Sequence, residues 1–156
     1  MPVIELSTLI NAPRPRVFDL ARSIDVHRAA AAGTEEHAVA GITSGLIGIG
    51  QEVTWEARHF GFRQRLTVRL ESFESPCHFR DVMIRGAFQS MVHDHFFDAH
   101  PSGTLMRDRF AFRSPLGPLG ALVDRLILTA YMRRFLVRRN QVLRRLAESE
   151  EWRNYL

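Results

Sequence analysis

The spacing of hydrophobic residues changes period twice along the chain. Val3 to Ile10 is rich in β-branched residues and runs into Asn11-Ala12-Pro13, a turn signal, so it predicts a strand. Behind Asn11 or Pro13, Val17, Phe18 and Ala21 recur at helical spacing. A second short helical piece follows from Asp25 to Ala32, with Asp25 as its cap and Gly33 as its stop. Helices this short are marginal alone and must lie on something larger. From Glu35 to Arg113 the period becomes two. Strand-like runs cover Glu36 to Ala40, Glu52 to Phe60, Phe62 to Phe73, Phe79 to Arg85, Met91 to Ala99 and Thr104 to Arg113, with a glycine-rich, flexible loop at Thr43 to Gly50. In the fourth strand Gln64, Leu66, Val68 and Leu70 face one way and Arg63, Arg65, Thr67 and Arg69 the other, so one sheet face is wet and one is covered.

After Ser114-Pro115-Leu116-Gly117-Pro118 the period returns to 3.6 and holds to about Glu148, a helix of roughly 30 residues and about 45 Å. Leu128, Tyr131, Met132, Phe135, Val142, Leu143 and Leu146 share one arc of it, with Arg139 projecting into the middle and Asp124 near the edge. Residues 1–149 then form one domain, and Glu150 to Leu156 a fraying tail on which Trp152 and Tyr155 are able to dock. The order predicts an α+β architecture: a seven-stranded curved antiparallel sheet wrapped around a long C-terminal helix, with two short helices between strands 1 and 2. One helix cannot fill so wide a sheet, and the void left between them is the candidate functional element.

Composition adds exclusions. A chain of 156 residues, 46% hydrophobic and 24% charged, fits one globular domain, and the lone Cys77, in a turn with no histidine pattern beside it, makes no internal disulfide and is assigned no role. All 21 basic side chains are arginine, giving a net charge of +4 that would permit binding to nucleic acid or an anionic membrane surface. The arginines are interleaved with acids except at Arg133-Arg134, Arg138-Arg139 and Arg144-Arg145, and no nucleic-acid motif accompanies them, so no nucleic-acid partner is expected. The N-terminus has Glu5 in its apolar run and no basic leader, and the longest apolar stretch, Leu116 to Met132, is broken by Asp124 and Arg125. A cytoplasmic protein without stable membrane insertion is expected. Gly41, Gly45, Gly48 and Gly50 match no nucleotide fingerprint, and no cofactor is expected.

The order of elements resembles the helix-grip fold of the START and Bet v 1-like, or SRPBCC, superfamily over nearly the whole chain. Phe79-x-Asp81, Gly86-x-Phe88, His93-x-His95-x-Phe97, Gly103-Thr104-Leu105, Asp108, and Pro115-Leu116-Gly117 before a helix containing Arg139-Asn140 resemble a bacterial ligand-binding subgroup. That subgroup is usually placed with polyketide cyclases, dehydratases and lipid-transport proteins. Met83 and Met91 depart from its pattern, where a polar and an aromatic residue are expected.

Alternation puts Phe79, Asp81 and Met83 on one face of their strand. Met91, His93, His95 and Phe97 share a face of the next, and Met106, Asp108, Phe110 and Phe112 of the last. A hairpin centred on Ala87 sets Asp81 opposite His93, and one centred near Ser102 sets His95 opposite Asp108. Such groups on a covered face need an explanation, because burying them costs several kcal/mol unless they are paired. Four readings stay open: a polar network that fixes strand register, a cavity wall that orients a ligand, acid-base catalysis by His93 or His95 with Asp81 or Asp108, and a metal site, for which His-x-His alone is a weak signal. Arg139 either snorkels along the apolar face or extends into the cavity, and Trp55 either packs the core or lines the void. His27, His37, His59, His78 and His100 lie near element ends and are expected to be solvated.

The resemblance implies a protein that binds a hydrophobic or lipid-like small molecule against Trp55, Leu66, Val68, Met83, Met91, Phe97, Met106, Phe110 and Phe135. A second reading is a cofactor-free cyclase or dehydratase. A third is a module that docks a protein or quinone through an exposed patch at Leu46, Ile47 and Ile49, a stretch that a mobile lid explains equally well. Oligomeric state is left open, with a dimer one option.

Overall fold

Alternation in β1 (Val3–Ile10) shows how the sheet acquires two unlike faces: Ile4 and Ile10 are buried, while Val3, Glu5, Ser7 and Leu9 are exposed. The computed structural model describes residues 1–156. Six further strands follow: β2 (His37–Gly41), β3 (Glu52–His59), β4 (Phe62–Glu74), β5 (His78–Arg85), β6 (Ser90–His100) and β7 (Gly103–Arg113). They form one antiparallel sheet in the order β1-β7-β6-β5-β4-β3-β2. Register shifts between Ala38 and Ala40 on β2, and beside Thr67 and Leu70 on β4, add local twist and help bend the sheet. The β6–β7 turn closes on Gly103 at φ +135°, where a Cβ would stand 2.4 Å from the Ile10 carbonyl oxygen, so only glycine lets this turn press on the end of β1.

Two helices, α1 (Arg14–Ala21) and α2 (Ile24–Ala30), lie between β1 and β2. The cap of α2 is Ser23, whose hydroxyl accepts from the Val26 N–H at 3.3 Å, and not Asp25. Asp25 falls in the first turn and its Oδ2 accepts from the Gly45 N–H at 2.9 Å. The loop that carries Gly45 is thereby held. Ile47 is buried and Leu46 is bridged to Ser23, so the apolar patch expected at Leu46, Ile47 and Ile49 does not exist; only Ile49 is exposed.

The C-terminal helix is also not uniform. It consists of α3 (Gly117–Val123), a π turn (Asp124–Leu128) and α4 (Thr129–Glu148). At the π turn the Asp124 carbonyl accepts from the backbone N–H of Thr129 and, at 2.6 Å, from its hydroxyl, while the buried Asp124 carboxylate accepts from the N–H and hydroxyl of Ser114. On α4 the buried face is Leu136, Arg139, Asn140, Leu143, Leu146 and Ala147.

The core has one filled end and one hollow end. At the filled end α1 drives Phe18 into the sheet, with its ring edge-on to Phe73, Phe79 and Phe97 at centroid distances of 5.3, 5.5 and 5.2 Å. Leu143, Leu146 and Met106 complete this end, and truncating a ring so placed costs about 3–5 kcal/mol. The tail does not fray. Glu150–Asn154 forms a 3-10 turn capped by Ser149, Trp152 and Tyr155 pack on the filled end, and the Arg16 guanidinium lies 4.3 Å over the Trp152 ring. At the hollow end Ile24, Val53, Trp55, Val68, Met91, Phe110 and Leu136 surround space, because no residue equivalent to Phe18 plugs it.

Candidate functional site

The hollow end is a cavity of about 270 Å³ between the inner sheet face, α2 and α4, at the small end of the range for ligand pockets. Of the residues expected to line it, Trp55, Leu66, Val68, Asp81, Met91, His93, His95, Phe110, Phe135 and Arg139 do so. Phe97 and Met106 do not, because Phe18 draws them into the filled end. Met83 packs beside Gly86 and Leu66, outside the lining, and Asp108 lies buried behind the two histidines.

Strand register brings the deep polar group together as the hairpin spacing predicts, with Asp81 opposite His93 and His95 opposite Asp108. The side chains lean diagonally, so the pairs are not those of the register. His93 Nε2 donates to Asp108 Oδ1 at 3.0 Å, and His95 Nδ1 comes within 2.9 Å of the same oxygen without the alignment of a hydrogen bond. His95 Nε2 stands 3.3 Å from Asp81 Oδ2. From α4, Asn140 Nδ2 donates to Asp108 Oδ2 at 2.6 Å, and Arg139 Nη1 approaches Oδ1 at 3.7 Å. Asp108 is 2% exposed, and the side chains that approach its carboxylate are two imidazoles, an amide donor and a guanidinium.

Electrostatics follow from this packing. Burial alone would raise the Asp108 pKa, but the His93 and His95 rings outweigh it and hold the carboxyl well below the usual range. Burial pushes His93 down to about 4; the neighbouring His95 and Arg139 push the same way, and Asp108 offsets only part. The stable arrangement at neutral pH is an ionised Asp108, a neutral His93 protonated on Nε2 and a charged Arg139.

A second polar group lies at the other side of the cavity. His27 stacks on Trp55 with ring centroids 4.2 Å apart and pairs with Glu36, and His59 Nδ1 is 2.6 Å from the Tyr131 hydroxyl. All five residues line the cavity, so the expectation that His27 and His59 are solvated is overturned. Burial lowers the His59 pKa and raises that of Tyr131, and Glu36 adds to the second shift. His78, also expected in solvent, pairs with the buried Asp94 at 2.9 Å on the outer sheet face, while His37 and His100 are exposed as expected. These partners lie 9, 72 and 16 residues away in the chain, which local spacing does not reveal. Asn140 was visible beside Arg139, but its approach to Asp108 depends on where α4 crosses the sheet.

Donor atoms of His93, His95 and Asp108 all lie within 4.8 Å of one another, the residue set of a metal centre. Arg139 already presents a cation to the carboxylate oxygen a metal would need. The arrangement therefore suits hydrogen bonding and proton placement better than metal binding.

Sheet, helix and cavity together define a helix-grip protein, the architecture shared by START and Bet v 1-like proteins. Solved structures agree. TTHA0849 from Thermus thermophilus is similar at 18% identity over 91% of this chain and 97% of that one, with a TM-score of 0.70. Protein CV1439 from Chromobacterium violaceum gives 14% identity, 96% and 99% coverage and 0.72. Major latex-like protein 151 from Panax ginseng gives 12%, 94% and 97%, and 0.69. No family model and no curated protein matches the chain. No helix is long and apolar enough to cross a membrane.

Proposed function

We propose that this protein binds a small apolar molecule bearing a polar group, held between α4 and the sheet. The observation behind this reading is a cavity whose walls are mostly apolar and whose depth ends on His93, His95 and Arg139, backed by Asp108. Affinity would come from apolar area covered by Trp55, Val68, Met91, Phe110 and Phe135, at about 25 cal/mol per Å² before the costs of association. His95 and Arg139 would orient the polar group. A volume of about 270 Å³ favours a ligand of one or a few rings, or a short chain, over a two-chain lipid. Native mass spectrometry and solvent extraction of purified protein test this: a co-purifying apolar molecule, displaced with a change in Trp55 fluorescence, is expected. Repeated recovery of empty protein that also fails to bind apolar probes would overturn it.

One observation favours acid-base chemistry of the cyclase or dehydratase kind as a second reading. The His95 imidazole lines the cavity with Nδ1 2.9 Å from Asp108 Oδ1 and Nε2 3.3 Å from Asp81 Oδ2, the imidazole–carboxylate arrangement that general acid–base catalysis uses. This reading expects turnover of an aromatic-precursor substrate with a bell-shaped pH profile, lost in His95→Ala with the fold kept.

A further inference from the structure

Helix α3 and the π turn present an apolar surface that nothing in the chain covers. Leu116, Leu119, Leu122, Val123, Leu126 and Ile127 are all exposed, with Leu119 at 61% and Leu126 at 67%. Only Gly120 and Asp124 in this stretch are buried. A helix apolar nearly all round belongs in a core or against an apolar medium, and a contiguous patch of this kind marks an interaction site.

The exposure is built in. Asp124 is tied to Ser114 through both carboxylate oxygens, and Gly120 sits so close to the Pro115 carbonyl that a Cβ would lie 1.9 Å from its oxygen. The face is thereby fixed outward. It also adjoins the cavity: Leu128 and Tyr131, directly after it on the helix, line the cavity, as does Phe60, an exposed residue at the β3–β4 turn whose ring centroid lies 4.6 Å from that of Tyr131.

Charge selects the occupant. Between Asp108 and Glu148 the only acidic residue is the buried Asp124, whereas Arg125 lies within the patch and Arg133, Arg134 and Arg138 follow on the same helix, all exposed. Two copies of the chain packed helix to helix here would oppose arginine with arginine, and the helix has no exposed carboxylate before Glu148 to offer in return. An anionic lipid surface complements both the leucines and the arginines, as it does for interfacial helices with basic polar faces.

We infer that α3 and the π turn dock this protein on an anionic lipid surface, with the β3–β4 turn and the cavity mouth brought alongside it. Apolar side chains enter the headgroup boundary and the arginines lie over the phosphates. The ligand then exchanges between membrane and cavity with little passage through water. Docking itself depends only on this surface, so its failure is separable from that of the cavity reading.

Co-sedimentation with vesicles decides the matter. Binding to vesicles of equal phosphatidylcholine and phosphatidylglycerol is expected, with about 600-fold weaker binding to phosphatidylcholine alone, from about fivefold for each of the four arginines. Added salt should weaken it. The double variant Leu122→Asp/Leu126→Asp alters exposed residues outside the cavity and should reduce vesicle binding at least tenfold, with apolar probe binding unchanged. Arg133→Gln/Arg134→Gln should reduce it about 25-fold. The inference is overturned if the wild type ignores anionic vesicles at low salt, or if the leucine double variant binds them as well as wild type. It is equally overturned if sedimentation reveals a dimer that Leu126→Asp dissolves, since the patch would then belong to a second copy.

Discussion

Asp108→Asn tests the deep polar group most directly, because it keeps the shape of the side chain and removes its charge. Asp108 accepts from His93 Nε2 and Asn140 Nδ2 and faces Arg139 Nη1 at 3.7 Å. An asparagine can accept from only one of the two donors, although His93 can change tautomer and accept from the new amide. Arg139 has no such escape: it is buried, and Asp108 is its one ion-pair partner. At 3.7 Å and an effective dielectric of about 20 the lost attraction is about 4 kcal/mol, in line with the ~3–5 kcal/mol typical of breaking a buried pair from one side. Urea unfolding at pH 7 should show that loss. The double variant Asp108→Asn/Arg139→Met removes both charges and should regain at least ~1.5 kcal/mol relative to the sum of the two single changes. A loss below about 1 kcal/mol in Asp108→Asn, or additive single effects, would refute the view that a carboxylate–guanidinium pair organises this site.

Three further outcomes are expected. His93 binds its proton near pH 4 in the folded state against 6.5 ordinarily, so between those values the unfolded chain holds a proton that the folded chain lacks. Its contribution, about 3 kcal/mol, is complete above pH 6.5 and vanishes as pH falls to 4, with Asp108 extending the decline to lower pH; urea midpoints across pH 3–8 check the slope, which His93→Phe should flatten. Gly103→Ala puts a methyl group against the Ile10 backbone at a positive φ and should cost about 2 kcal/mol or more by thermal unfolding, whereas Gly61→Ala, also at positive φ but with open space, should cost less. Trp152→Ala strips the docked tail from the filled end and should cost about 2 kcal/mol, with faster proteolysis of the last residues.

The sheet could be read in advance because its strands alternate and its hairpins are short, so a turn centre at Ala87 or Ser102 fixes every pairing across it. Those two centres set Asp81 beside His93 and His95 beside Asp108, the register the sheet has. It could not say which way each ring leans, and the leaning made Asp108, not Asp81, the partner of His93. Phe97 and Met106 alternate onto the covered face as expected, yet only the position of Phe18 on α1 decides that they meet a filled core. The helical projection placed Arg139 inward correctly. The π turn carries one residue beyond an α-helical turn, so a projection at a constant 100° per residue does not describe the helix ahead of Thr129.

Strand order has a consequence for how the molecule is made. Val3 pairs with Ala111 and Ile10 with Thr104, so during synthesis β1 waits for β7, the last strand of the sheet, before its ladder can form. Pairings of such long reach slow folding, and in the interval β1 and the facing side of β7 both carry unpaired backbone groups. Nascent chains of this protein are therefore most prone to stick to one another after β7 has emerged and before β1 has swung across to cover it.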